Sequence, residues 1–332
     1  MPLTFQQPPA IFQPLNTGFT PDTLTALVLM NDNSLVLYQN GSTTTIDTNV
    51  MAFQGLAVDQ IFTLHTDGTM YYLPYQLPVS NVSNVQAFYA LSPTEFLVIH
   101  TNGDLYLCQI DGLIVLTSLP FAADVRAVQA LDATDIFFLQ TDGVLYYKRY
   151  NPDKPSASGW AIPVFGPVPG LAPGQVPVPP VQDFQYWSND AVVLAGRNLY
   201  YAAPPFNVNQ PLQLIQVNPI LGDVMAFSTL DQALILLVLT YTGELYYYNR
   251  NLQGPKADAP KVFEDVVAMY GYQDDPTQTV GALAVTSDGT LYVLAAPSWT
   301  ANVVLTGVAL APPPLTAPII APYRPPRGPI FL

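Results

Sequence analysis

The chain has 332 residues, of which half are hydrophobic and only 10% are charged, and its formal net charge is −14. With ten Lys and Arg against 24 Asp and Glu, it lacks the basic surface that nucleic-acid binding requires. No stretch approaches the ~18 uncharged apolar residues of a membrane-spanning helix, and the N-terminus lacks the basic and apolar regions of a secretory signal.

One phrase recurs along the chain: an apolar strand, a tight turn, and a second strand marked by a tyrosine. The seven copies begin, in chain order, at Ala26, Ile61, Phe96, Ile136, Ala191, Leu234 and Ala282. Their tyrosines are Tyr38, Tyr71, Tyr106, Tyr146, Tyr200, Tyr246 and Tyr292, spaced 33 to 54 residues apart. Turns such as Asp67-Gly68 predict hairpins in which both central residues have positive φ.

A strand of the form Val-x-Ala precedes most of these hairpins, as at Val50-Met51-Ala52, and a weaker fourth strand follows each of them. Four strands in each of seven units predict an all-β fold, a seven-bladed β-propeller. The first hairpin has no clear Val-x-Ala strand before it, whereas Gly307-Val308-Ala309-Leu310 follows the last one. We therefore expect the C-terminal strand to complete blade one.

Three proline-dense segments interrupt or flank the repeats, and proline donates no amide to a strand ladder. They predict a proline-rich N-terminal arm at 1–21, an insertion between blades four and five at 151–180, and a proline-rich C-terminal arm at 311–332, with the propeller at 22–310. Both arms carry apolar side chains. Phe5, Phe12, Tyr323 and Phe331 are the predicted partner-binding residues, although the arms would equally well fold back on their own propeller.

The Val-x-Ala and Asp-Gly-x-Leu-Tyr pattern resembles the repeat of the regulator of chromosome condensation family of seven-bladed propellers, over roughly residues 24 to 310. The family's Gly-His pair before the apolar strand and its Trp-Gly after the tyrosine are missing from this chain. The resemblance implies the fold. Because family members serve several roles, it does not choose a function.

Residues with catalytic or metal-binding chemistry are scarce. His65 and His100 occupy equivalent places before a turn, where the next repeat has Gln140, and the single cysteine, Cys108, is predicted to be a buried inert thiol. The turn carboxylates suit the turn itself. The sequence therefore predicts no enzyme, no cofactor and no metal site.

Two further features are candidate binding features. Asp183 replaces the small alanine of the Val-x-Ala strand in blade five, and if this residue faces the axis, its carboxylate lies in or near the central channel. The residues that follow the hallmark tyrosines, Tyr72, Tyr147, Tyr201 and Tyr247, are predicted to face outward as surface aromatics.

These features favour a structural or interaction protein of a large assembly: a virion surface, spike or minor capsid component at the surface of a virion or extracellular particle. Its predicted partners are other structural proteins, including copies of itself, and a host-surface protein or glycan, without nucleic acid or membrane insertion. A carbohydrate-binding attachment propeller and a protein-binding regulatory or inhibitor propeller are the alternatives.

Overall fold

The computed structural model describes residues 11–16, 18–73, 77–80, 82–111, 114–130, 134–149, 161–166, 179–187, 190–202, 213–215, 223–231, 235–249, 259–274 and 279–310. Every regular element in these residues is a β-strand, and the strands form seven antiparallel sheets of four. The prediction of an all-β, seven-bladed propeller is confirmed.

The four strands of each blade follow one another along the chain, from the axis to the rim. Blades one to three are β1 (Phe12–Pro14), β2 (Thr25–Leu29), β3 (Leu35–Gln39), β4 (Ser42–Asp47); β5 (Val50–Ala57), β6 (Gln60–His65), β7 (Met70–Leu73), β8 (Leu77–Pro78); and β9 (Val85–Ser92), β10 (Glu95–His100), β11 (Leu105–Asp111), β12 (Ile114–Ala122). Blades four and five are β13 (Val125–Ala130), β14 (Asp135–Gln140), β15 (Leu145–Arg149), β16 (Ile162–Phe165); and β17 (Val181–Trp187), β18 (Asp190–Ala195), β19 (Asn198–Ala202), β20 (Gln213–Ile215). Blades six and seven are β21 (Val224–Asp231), β22 (Ile235–Thr240), β23 (Leu245–Asn249), β24 (Lys261–Phe263); and β25 (Val266–Asp274), β26 (Thr279–Thr286), β27 (Leu291–Ala295), β28 (Thr300–Leu305).

The Asp-Gly hairpins have a different turn from the one predicted. Gly68 has a φ of 83°, whereas Asp67 is not among the residues with positive φ. The Gly68 N–H donates to the His65 carbonyl at 3.0 Å and the His65 N–H to the Thr69 carbonyl at 2.9 Å, which is a type I turn closed by a glycine bulge. The Asp67 carboxylate accepts the Thr69 N–H at 2.9 Å, so aspartate caps the turn.

The carbonyl of the positive-φ turn residue accepts a hydrogen bond from the next blade. In all seven blades the donor is the N–H of the valine at the start of the inner strand, at 2.8 to 3.3 Å. The acceptors are Asn33, Gly68, Gly103, Gly143, Arg197, Gly243 and Gly289, and the donors are Val50, Val85, Val125, Val181, Val224, Val266 and Val308. The hallmark turn therefore joins each blade to its neighbour, and we call this contact the valine clasp.

A second set of contacts joins the inner strands deeper in the ring. The Gln54 side chain donates to the Ala90 carbonyl at 2.9 Å and accepts the Ala90 N–H at 2.7 Å. Gln13 makes the same pair of bonds to Gly55, and Gln185 bridges to Phe227 and Thr229 of blade six. These buried amides satisfy backbone groups on the free edge of the neighbouring strand.

Blade one receives its inner strand in two pieces. Val308 forms a bridge with Met30 and takes the valine position of the clasp, as predicted for the C-terminal strand. The rest of that strand is β1, in which Phe12 pairs with Val28. Phe12 is only 2% exposed and belongs to the core. The propeller therefore begins before residue 22, and Phe12 is a blade residue rather than a docking residue of a free arm.

The proline-rich insertion also contributes a strand. Ile162–Phe165 is the outermost strand of blade four, and Pro163 lies opposite Tyr146. Proline is tolerated there because an outermost strand has a ladder on one side only. This corrects the prediction that 151–180 lies wholly outside the blades, while 151–160 and 167–178 are outside the described residues.

Replacing Gly289 by alanine tests the valine clasp at the closure of the ring. Gly289 has a φ of 79°, and an added Cβ would lie 3.1 Å from the Val308 carbonyl oxygen. Gly41 is a matched control with a φ of 77° and its nearest such contact at 3.8 Å. In urea unfolding we expect Gly289→Ala to lose ~1 kcal/mol more than Gly41→Ala, because both bear the backbone strain and only one disturbs the clasp. Equal losses would contradict this role.

Replacing Gln54 by alanine tests the inner amides. The change leaves the buried Ala90 N–H and carbonyl without their partners, so we expect a loss of ~2–4 kcal/mol in the free energy of unfolding. Gln109→Ala, at an exposed glutamine that donates to Glu95, should lose less than ~0.5 kcal/mol. If both variants unfold alike, the amide contact does not hold the blades together.

Candidate functional site at the mouth of the central channel

The residues that begin the inner strands surround one end of the central channel. The hairpins and the starts of the inner strands meet at this end, because each valine clasp joins the two. We call it the hairpin face. In six inner strands the pairing shifts between the valine and the residue two places later, so the intervening side chain is displaced from the ladder. The intervening residues are Met51, Gln86, Arg126, Gln182, Met225 and Val267.

Arg126 brings a positive charge to this mouth. It is exposed, and its Nη2 donates to the Val181 carbonyl of blade five. A guanidinium has five N–H donors in a planar fork, so this single bond orients the group and leaves donors that face solvent. Arg126 therefore both spans the seam between blades four and five and presents a fork at the mouth.

Asp183 lies two residues after Val181 in the same strand, at the position that most blades fill with alanine. Its Oδ1 accepts the Phe184 N–H at 2.8 Å. The carboxylate is largely surrounded by protein atoms, although solvent still reaches part of the residue. Burial raises its pKa to about 6, against the opposing effects of the Phe184 N–H and of the charge on Arg126. Asp183 therefore exchanges its proton close to neutral pH.

A second arginine contacts β17 through its backbone, at Gln182, the residue between Val181 and Asp183. The Arg197 N–H donates to Gln182 Oε1 at 3.3 Å, and its guanidinium lies 4.3 Å from the centre of the Tyr241 ring. Its Nη1 is 3.9 Å from Asp223 Oδ1. Tyr241 is 46% exposed, so the pair forms a surface contact with aromatic and cationic character.

These contacts define the mouth cluster: Arg126, Gln182, Asp183, Arg197 and Tyr241. Sequence reasoning found only Asp183. For Arg126 and Gln182 the sequence offered one weak indication, since both occupy the variable position of the Val-x-Ala pattern. Nothing in a single sequence shows that a turn residue such as Arg197 lies beside a strand that begins 16 residues earlier.

The tyrosines predicted to face outward do not form an exposed series. Tyr72 is 8% exposed and stacks on Phe62 with ring centroids 4.5 Å apart, so this prediction is wrong for Tyr72. The other three are half-buried. Tyr147 donates to Asp135, Tyr201 packs against the core between blades five and six, and Tyr247 contacts the Trp299 ring at 5.2 Å.

The two histidines have local partners. His65 Nε2 lies 3.0 Å from Asp47 Oδ2, which also accepts the Thr63 hydroxyl at 2.6 Å, and the His65 ring stacks on Tyr71. His65, Thr63 and the Thr48 N–H keep the pKa of Asp47 below its usual value, although burial alone would raise it. His100 Nδ1 lies 2.9 Å from the Ser83 carbonyl. Both rings connect a hairpin to the loop before its inner strand.

Other predicted site residues fall elsewhere. Phe5, Tyr323 and Phe331 lie outside the described residues. Cys108 is buried, and burial raises the pKa of its thiol, in keeping with an inert side chain. Within the described ranges, no three His, Cys, Asp or Glu side chains are placed to hold a metal ion. The same part of the chain contains no helix that is long and apolar enough to cross a membrane.

Comparisons with known proteins support the fold but assign no family or function. No family model matches the sequence, and no curated protein matches it. PorZ of Porphyromonas gingivalis, an essential surface component of the type-IX secretion system, superposes with a TM-score of 0.54 at 15% identity, over 89% of this chain and 39% of that chain. This chain thus spans well under half of PorZ.

Two other solved structures match over nearly their whole length. Hsv2 of Kluyveromyces lactis gives a TM-score of 0.57 at 10% identity, over 85% of this chain and 93% of that one. BBS1N, solved in complex with ARL6DN, gives 0.54 at 14% identity, over 88% and 97%. At these identities the likeness shows the propeller fold alone.

Asp183→Asn tests the electrostatics of the mouth through stability. The pKa of Asp183 is about 6 in the folded chain and near 3.9 in an unfolded one. Its contribution to stability is therefore fully present below pH ~4 and is lost as the pH rises through 6. We expect Asp183→Asn to raise the free energy of unfolding by ~1–3 kcal/mol at pH 7.5 and to leave it unchanged at pH 4. A variant that is less stable at pH 7.5 would show that attraction to Arg126 outweighs burial.

Proposed function

We propose that this chain is a non-enzymatic interaction protein of a large assembly, in which the propeller is the binding platform. The observation that carries the proposal is the mouth cluster, a group of oriented polar and aromatic side chains at the centre of the hairpin face. Arginine and tyrosine are the residue types that dominate protein–protein contacts. Here Arg197 and the exposed Tyr241 are already in contact before any partner arrives, which lowers the entropy lost on binding.

In its most specific form the proposal is a virion surface, spike or minor capsid component, with the terminal segments as docking arms. Its support is compositional: few charges, a net charge of −14, and 34 prolines of which many lie near the termini. Proline-stiffened apolar segments lose little entropy when they bind. The tail residues of this proposal are Phe5, Tyr323 and Phe331, since Phe12 belongs to blade one.

The alternatives receive less support. A glycan-binding propeller needs exposed aromatic rings, whereas Tyr72 is buried and Tyr147, Tyr201 and Tyr247 are packed against other side chains. A regulatory propeller of the kind suggested by the chromosome-condensation repeat would use the same hairpin face. It differs from the leading proposal in having one soluble partner rather than an assembly.

Trimming the ends separates the arms from the platform. Residues 11–310 contain all seven blades, including β1 and the Val308 clasp, so the trimmed protein should unfold as the full chain does. We expect the full chain to form a defined oligomer or to bind particles in light scattering, and the 11–310 protein to remain a monomer. If both are the same monomer, the terminal segments are not assembly arms.

Tyr241→Ala tests the platform with a matched control. Val58 is 45% exposed and lies in the turn between β5 and β6, at the end of a blade opposite the hairpins. We expect Tyr241→Ala to weaken association with the co-purifying assembly about tenfold or more, while Val58→Ala leaves it unchanged. If the two changes weaken association equally, the hairpin face is not the binding surface.

A further inference from the structure

The mouth cluster contains two guanidinium groups, and their N–H donors indicate which kind of ligand the cluster binds. Its two arginines are each contacted from one side: Arg126 by the Val181 carbonyl, and Arg197 by the Tyr241 ring. Each guanidinium is therefore oriented while part of its donor fork stays accessible. Oriented, partly desolvated guanidinium groups bind planar anions in two-pronged fashion.

We propose that the mouth of the channel binds a carboxylate group presented by a partner protein, with Arg126 as its receiving fork and Arg197 and Tyr241 as the flanking contact. The inference rests on the proposed function, since a protruding acidic side chain is what a platform of this shape would receive. No described contact of Arg126 other than the Val181 bond uses its remaining donors.

The charges around the mouth favour a carboxylate over a phosphate. Asp183 lies beside Arg126, while Asp124 and Asp223 precede the inner strands of blades four and six. A phosphate with two negative charges would be repelled more strongly by these carboxylates than a carboxylate with one charge. A single carboxylate can instead share the proton of Asp183, as neighbouring carboxyl groups do when one of them stays protonated.

Asp183 therefore couples binding to protonation. Among the described residues, the charged group that acts on Asp183 is Arg126 on β13, while Asp223, before the start of β21, lies next to Arg197. The strand paired with it, β18, carries no titratable side chain from Ala191 to Ala195. A carboxylate ligand binds more tightly as Asp183 gains its proton, between pH 7 and pH 5, where a peptide glutamate itself stays ionised.

The experiment uses the arginine side-chain signals of the full-length ¹⁵N-labelled chain. The probes are the capped tripeptides acetyl-Gly-Glu-Gly-amide and acetyl-Gly-Gln-Gly-amide, and Arg126→Lys assigns the Arg126 Nε–H signal. We expect the glutamate peptide to shift this signal saturably and the glutamine peptide not to shift it. The apparent affinity should rise about tenfold from pH 7 to pH 5, because the protonated fraction of a group with a pKa of about 6 rises by that factor.

Two variants keep the test decisive. Asp183→Asn should bind the glutamate peptide with no dependence on pH in this range. Arg149→Lys, at an exposed arginine on β15, should leave binding unchanged. If Arg126 serves only to hold blade five, the two peptides will shift its signal equally or not at all, and the inference is overturned.

The outcome is distinguishable from failure of the platform. If the two peptides have the same effect but Tyr241→Ala still weakens assembly, the carboxylate site is wrong and the proposed binding platform is still supported. If the chain binds the glutamate peptide but not the glutamine peptide, yet joins no assembly, the carboxylate site is supported and the proposed function is contradicted.

Discussion

The ring depends on one hydrogen bond repeated seven times, from a valine N–H to the carbonyl of a residue with positive φ. The bond requires the preceding hairpin to turn its carbonyl towards the next blade, and a φ between 64° and 84° achieves this at each acceptor. Glycine fills the position in five blades because L-residues rarely adopt that conformation. Asn33 adopts it in blade one and Arg197 in blade five, beside a glycine. The recurring Asp-Gly is therefore a device for joining blades as well as for reversing the chain.

The same requirement explains how the ring closes. Each inner strand must supply a valine for the clasp and, farther along, side chains that meet the neighbouring inner strand. In blade one no single segment supplies both, so Val308 provides the clasp while Phe12 and Gln13 provide the packing and the amide. Both ends of the chain thus contribute to one strand, and opening blade one requires both contributions to be lost. Closure of this kind protects the inner sheet edge from pairing with other chains.

The sequence predicted what repeats and missed what occurs once. Period, strand order and blade number followed from the tyrosines and the Asp-Gly turns, because those signals recur in register. β1 was missed, because Phe12-Gln13-Pro14 is a single short segment among prolines and matches only the second half of the inner-strand pattern. Ile162–Phe165 was missed for a related reason, since proline at an outermost strand is tolerated while the local rule counts against it. Tyr72 was misplaced because both faces of a blade are covered by neighbouring blades, so alternation does not separate inside from outside there.

The mouth cluster shows more clearly what could not be predicted from the sequence. Asp183 stood out in the sequence as a departure from alanine, but the positive charge that acts on it belongs to Arg126, 57 positions before it, which only the ring brings near. A propeller places small residues near its axis because the inner strands converge there. A carboxylate at such a position lowers stability at neutral pH unless something outside the chain makes use of it. The Phe184 N–H bond and the charge on Arg126 offset only part of the cost of burying the Asp183 carboxylate, whose pKa is raised to about 6. The proposed carboxylate site would give this costly carboxylate, and the arginine that holds a neighbouring carbonyl while facing solvent, a common purpose.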